Sequence, residues 1–131
     1  MHLTELHQSL IQAARGARER AYAPYSGYAV GAAVLTDDGR IVAGCNVENA
    51  SYGLSVCAER IAVFNAVAAG ARRITAVALC TADGGTPCGA CRQVLLEFAA
   101  NPETCTVWVV KPDAIVGRYT LAELLPHPFR L

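Results

Sequence analysis

The sequence predicts an α/β fold in three α/β/α layers, with a mixed five-stranded sheet covered by helices on both faces. Three observations carry this. An amphipathic helical pattern opens the chain, two adjoining strand patterns follow, and helix and strand patterns then alternate to the end. With 131 residues, 53% hydrophobic and only 17% charged, the chain is long and apolar enough to bury a core in one domain spanning residues 1–131. Strand order cannot be read from periodicity.

Leu3, Leu6, Leu10, Ala14 and Ala17 recur at helical spacing with polar residues on the other faces, which predicts a first helix ending near Ala21. Pro24 and Tyr25-Ser26-Gly27 then form a turn. Tyr28 to Leu35 reads as a strand, Asp37-Asp38-Gly39 as a hairpin turn, and Ile41 to Asn46 as the return strand. Residues 47–56 are loop-like. Cys57 to Ala69 reads as a helix that is apolar almost all round, through Ile61, Ala62, Val63, Phe64 and Val67, and such a helix is expected to be buried.

Ile74 to Leu79 is the third strand, followed by a turn-rich loop from Thr81 to Pro87. Arg92 to Ala100 carries a helical stripe of Val94, Leu95 and Phe98. Thr106 to Val110 is a strand, Ile115 to Tyr119 a fifth. Thr120-Leu121-Ala122-Glu123 reads as a capping box opening a short helix that Pro126 ends.

Eleven basic and eleven acidic side chains give a formal net charge of zero, so the basic excess of a phosphate-gripping nucleic-acid binder is missing. A small, roughly neutral partner fits better. Met1-His2-Leu3-Thr4-Glu5 lacks a signal-peptide pattern, and no stretch reaches the ~18 apolar residues of a membrane span. A cytoplasmic protein is the expectation. Six cysteines in a reducing compartment then point to metal binding or packing before disulfides.

The chemistry concentrates between Cys57 and Cys91. Cys88-x-x-Cys91 has zinc-knuckle spacing at the start of a helix, and Cys57 occupies the equivalent place on the preceding helix. Helix starts offer free N–H groups and a dipole that favour thiolate. Three protein ligands leave a tetrahedral position open, as in catalytic zinc sites. Cys80 is the nearest candidate for closing the site as a structural one, although Cys45, Cys80 and Cys105 also read as small core residues.

Glu59 lies in the first turn of an otherwise apolar helix. It is either a helix-start acid favouring the dipole or a base exchanging protons with an activated water. No histidine competes for that role, since His2, His7 and His127 lie near the chain ends. Three thiolates and Zn²⁺ leave one net negative charge, which an arginine on the sulfurs would offset; Arg60 is the candidate.

These motifs, Cys57-Ala58-Glu59-Arg60 and Pro87-Cys88-Gly89-Ala90-Cys91-Arg92-Gln93, resemble those of the cytidine deaminase family in its three-cysteine form. Tyr22-Ala23-Pro24-Tyr25-Ser26, Val30-Gly31-Ala32-Ala33, residues 44–52 and Glu123-Leu124-Leu125-Pro126 extend the resemblance over nearly the whole chain.

It implies the short, homotetrameric class with one zinc per chain and a nucleoside substrate. The activity implied is hydrolytic deamination of cytidine and deoxycytidine in pyrimidine salvage, with a hydroxide on zinc attacking C4 and Glu59 shuttling the protons. The resemblance further implies that Asn46 and Glu48 bind the ribose hydroxyls, and that the Ala58 N–H and Glu59 read the pyrimidine O2 and N3 edge. Phe129 would reach a neighbouring subunit's site and stack on the base. Tyr28 stands where the family usually has phenylalanine against the nucleoside, and its added hydroxyl needs a partner. Tyr52 matches an aromatic near the subunit boundary.

Three other readings remain at this point. A deaminase of a cytosine-bearing antibiotic such as blasticidin S would lack the Asn46-x-Glu48 pair. A polynucleotide-editing deaminase would be expected to carry a basic surface. A non-catalytic zinc-stapled module would need a fourth protein ligand.

Overall fold

A computed structural model describes residues 3–131; Met1 and His2, part of the N-terminus read above as free of a targeting signal, lie outside the described residues. The five strands form one sheet in the order β2-β1-β3-β4-β5. Among the described residues, no helix is long and apolar enough to cross a membrane.

Helix α1 spans Glu5–Arg18 and is capped by Thr4, whose hydroxyl accepts the His7 N–H at 3.1 Å. It ends three residues before the expected Ala21. Arg20 and Ala21 instead donate to the carbonyls of Ala17 and Arg18, the tightened i→i−3 bonding of a helix end. Strands β1 (Gly31–Thr36) and β2 (Ile41–Cys45) pair antiparallel around Gly39, whose φ of +88° a side chain would resist.

The first strand begins later than the expected Tyr28 because a side chain replaces its ladder. Asn46 accepts from the Val30 N–H at 2.9 Å and donates to the Tyr28 carbonyl at 2.8 Å.

Strand β3 (Ile74–Cys80) pairs antiparallel with β1 and parallel with β4 (Thr106–Lys111). Helix α3 (Gly89–Phe98) makes the crossover between that parallel pair. It starts three residues before the expected Arg92, with Cys88 as its N-cap. Strand β5 (Ala114–Thr120) closes the far edge, and the Thr120–Glu123 capping box opens α4 (Leu121–Leu124) as the sequence predicts.

Side-chain alternation sorts the two layers. Leu35, Ala76, Ala78, Trp108 and Val110 meet Leu10, Ile11 and Ala14 of α1. Val34, Val77, Leu79, Val107 and Val109 meet the helices of the opposite face. Both helical layers sit close because glycines admit them: a Cβ on Gly31 would lie 2.1 Å from the Ala14 carbonyl oxygen, and one on Gly44 2.4 Å from the Ala62 nitrogen.

One expectation is overturned. Helix α2 (Ala58–Ala68) buries only the face formed by Ala58, Glu59, Ala62, Val63 and Ala66, while Phe64 remains 48% exposed. A helix lying on one face of a sheet has one covered side, so its other apolar residues stay open unless something outside the chain covers them.

Candidate active site

Two helix starts converge. Cys57 and Cys88 are the N-cap residues of α2 and α3, both with extended backbone and with side chains that make no capping bond. Their sulfurs are thus free to point at each other, 4.0 Å apart. Cys91, fully buried in the first turn of α3, lies with its sulfur 3.4 Å from that of Cys88. All three sulfurs fall within 4.8 Å of one another. Tetrahedral zinc at ~2.3 Å from each sulfur requires sulfurs ~3.8 Å apart, and these spacings bracket that value. The donor set fits one zinc ion.

Among the described residues no fourth Cys, His, Asp or Glu joins this cluster. Cys80 is buried in the core beneath α1 instead, which removes the closed four-cysteine alternative. Cys105 is a buried core residue, as expected, and Cys45 is half-buried on β2.

The electrostatics favour thiolate at one sulfur of the three, that of Cys57. A hydrogen bond from Cys91 and the Arg60 guanidinium pull the Cys57 thiol well below its ordinary pKa. Cys91, next to that charge and buried, is pushed up. Arg60 Nη2 donates to the Cys57 sulfur at 3.5 Å, while its buried Nε has no partner. Arg92 lies away from the sulfurs. It donates to the Pro87 carbonyl at 2.7 Å, the Leu124 carbonyl at 2.6 Å and the Thr86 hydroxyl at 3.0 Å, tying the approach to Cys88 to the end of α4.

Beside the cluster is a cavity of about 400 Å³. Glu59 lines it from the first turn of α2 and is only 4% exposed. Burial raises its pKa to about 7. Cys57, Cys88, Tyr28, Asn46 and Glu48 line the same cavity. Ala58 opens α2 with its side chain buried behind the lining, its N–H among the free donors of a helix start.

The Glu48 carboxylate is held by the Tyr25 and Ser26 N–H groups at 2.9 and 3.0 Å and by the Ser26 hydroxyl, which lowers its pKa. The Tyr28 hydroxyl finds its partner in Asp83, at 2.5 Å. Phe129 does not reach the cavity of its own chain; it is 69% exposed, with its carbonyl held by Gln93.

Sequence reasoning missed Ser26, Ser55, Thr81 and Thr86 in the lining and Asp83 as the partner of Tyr28. Only the last left a signal, the hydroxyl of Tyr28 beside an otherwise apolar strand.

Residues 4–107 match the family described as the cytidine and deoxycytidylate deaminase zinc-binding region. The chain belongs to this family. Among its deaminase relatives, the cytidine deaminase of Halalkalibacterium halodurans is 46% identical over 124 residues, covering 93% of this chain and 92% of that protein. The cytidine deaminase of Mycobacterium tuberculosis is 46% identical over 128 residues, covering 96% and 88%. The crystal structure of cytidine deaminase from Burkholderia pseudomallei superposes with a TM-score of 0.87 at 49% identity, covering 94% of this chain and 98% of that one. The mixed sheet with flanking helices is therefore the deaminase fold.

Proposed function

We propose that this chain, as one domain, is a zinc-dependent cytidine deaminase that hydrolyses cytidine and deoxycytidine to uridine and deoxyuridine with release of ammonia. One observation carries the reading: a buried carboxylate, Glu59, shares a cavity with a three-sulfur cluster that has no fourth protein donor among the described residues. Held by Cys57, Cys88 and Cys91, zinc supplies Lewis acidity that makes water a nucleophile near neutral pH.

Glu59 takes a proton from the attacking water and delivers it to N3 of the pyrimidine. It then takes the second proton from the new C4 hydroxyl and passes it to the amino group, which leaves as ammonia as the C4–N bond breaks and the C4 carbonyl forms. The Ala58 N–H, at the positive end of α2, orients the O2 edge. Asn46 and Glu48 receive the ribose hydroxyls. Their bonds to Tyr28, Val30, Tyr25 and Ser26 pre-orient them and leave each with hydrogen-bonding capacity to spare. The Tyr28 ring packs against the nucleoside. Arg60 offsets the negative charge of the thiolates.

The working unit is a homotetramer in which Phe129 enters a neighbour's cavity and stacks on the base. The exposure of Phe129, Phe64, Leu54 and Tyr52 supports an assembly that covers them. Six free cysteines suit the reducing cytoplasm, where the reaction serves pyrimidine salvage.

Ammonia release from cytidine, with and without a chelator, tests the activity. Glu59→Gln should retain one zinc per chain while turnover falls about 10²- to 10⁴-fold. Unchanged turnover in that variant, or after zinc removal, would overturn the reading.

A further inference from the structure

The loop from Thr81 to Pro87 leads from the end of β3 to Cys88 and forms one wall of the cavity. It contains neither helix nor strand and carries two adjacent glycines, Gly84 at φ +79°. Such a segment is expected to be loose. Yet its polar groups are tied down. The Gly84 and Gly85 N–H groups donate to the Thr81 hydroxyl at 2.8 and 3.0 Å. That hydroxyl in turn donates to Asp83 at 3.3 Å. Arg92 holds the far end at Thr86 and Pro87.

The remaining tie joins the loop to the segment before β1. Tyr28, whose carbonyl accepts from Asn46, lines the cavity from the segment before β1 and donates its hydroxyl to Asp83 at 2.5 Å. Gly85 makes room for it: a Cβ there would lie 3.3 Å from the Tyr28 oxygen, tighter than ordinary van der Waals contact.

We infer that Tyr28 is a positioning residue as well as a wall of the pocket, its bond to Asp83 bracing the Thr81–Pro87 loop so that the cavity keeps one width between the Asn46–Glu48 wall and the cysteine wall. The inference deepens the deaminase reading and rests on it for the identity of the substrate. Bracing lowers the ordering cost of binding, so its loss appears in KM rather than in kcat. The bond involves a carboxylate, but both partners keep access to solvent, so a moderate effect is expected.

The test is a double-mutant set of Tyr28→Phe, Asp83→Ala and their combination, assayed on cytidine and by hydrogen exchange over residues 81–87. Each single variant should raise KM roughly three- to tenfold with kcat nearly unchanged, and the combination should be no worse than either alone. Exchange at Gly84 and Gly85 should quicken in all three variants.

Gly85→Ala adds a readout that mere destabilisation would not move. It should raise KM when Tyr28 is present and raise it less in the Tyr28→Phe background, where the crowded oxygen is gone. Additive effects of Tyr28→Phe and Asp83→Ala, or unaltered exchange in the loop, would overturn the brace. A native protein with no turnover of cytidine would overturn the deaminase reading instead, and the exchange experiment would still decide the brace.

Discussion

Arg60 lies three residues after Cys57 and Arg92 directly after Cys91, yet the two arginines act on different partners. Arg60 turns toward the Cys57 sulfur, whereas Arg92 bonds two carbonyls and a hydroxyl around the approach to Cys88. Losing a group that supports a metal ligand commonly costs metal affinity. Arg60→Gln should therefore weaken zinc retention about 10- to 100-fold in a competition against a chromophoric chelator. Arg92→Ala should leave zinc affinity closer to native and lower thermal stability, because it strands the Pro87 and Leu124 carbonyls. Equal zinc affinities for the two variants would contradict this division.

At the scale of elements, one close approach and one helix-to-sheet bond hold the helical layers against the sheet. Gly44→Ala drives a methyl into the backbone of α2 at Ala62, where no flexible side chain can yield, and should destabilise the protein by about 1–3 kcal/mol in urea titrations. An equal midpoint for native and variant protein would refute the close contact.

Helix α1 is fastened to β4 through fully buried Trp108, whose indole N–H donates to His7 Nδ1 at 3.0 Å, with Arg118 over the ring. Burial and the nearby Arg118 lower the His7 pKa from 6.5. The unfolded chain then takes up the proton at higher pH than the folded one. Stability therefore rises with pH up to about 6.5 and is lost as pH falls from there toward the lowered value. Melting temperature should drop between about pH 7 and about pH 5, and drop less in His7→Gln, whose amide oxygen can accept the same bond without titrating. Parallel pH profiles would show that this bond is not the titrating element.

For the whole molecule, the metal site joins separate parts of the chain and exposed apolar side chains mark its outer surface. Zinc would link α2 to α3, elements that otherwise meet through a modest contact beside the sheet, and binding to the folded form alone adds to stability. Chelation should lower the melting temperature and restored zinc should recover it. Phe64 stands on the open side of α2, with Leu54 and Tyr52 also exposed. In the proposed homotetramer, Phe64→Glu should shift the mass in light scattering from four chains toward fewer while leaving zinc at one per chain. An unchanged tetramer would place Phe64 outside the interface.

Much of this protein was legible before any tertiary contact was known. The apolar period of α1, the Asp-Gly hairpin, the Val-rich β4 and the Thr120–Glu123 capping box are local patterns, and the structure contains each of them. The clustering of Cys57, Cys88 and Cys91 was legible because cysteines at two helix starts suit a shared metal, and the buried placement of Glu59 because a carboxylate in an apolar helix needs a reason. The strand order, the parallel pairing of β3 with β4 and the late start of β1 were not legible, since each depends on partners distant in sequence.

The same limit explains α2. Its composition determines that it is apolar, but only the assembled layers decide which side is covered, and Phe64 falls on the other. The sequence by itself determined the local elements and the chemistry of the donor set. The tertiary structure decided which groups meet in one cavity, including Tyr28 with Asp83, because a distance across 55 residues of chain is set by packing and not by local pattern.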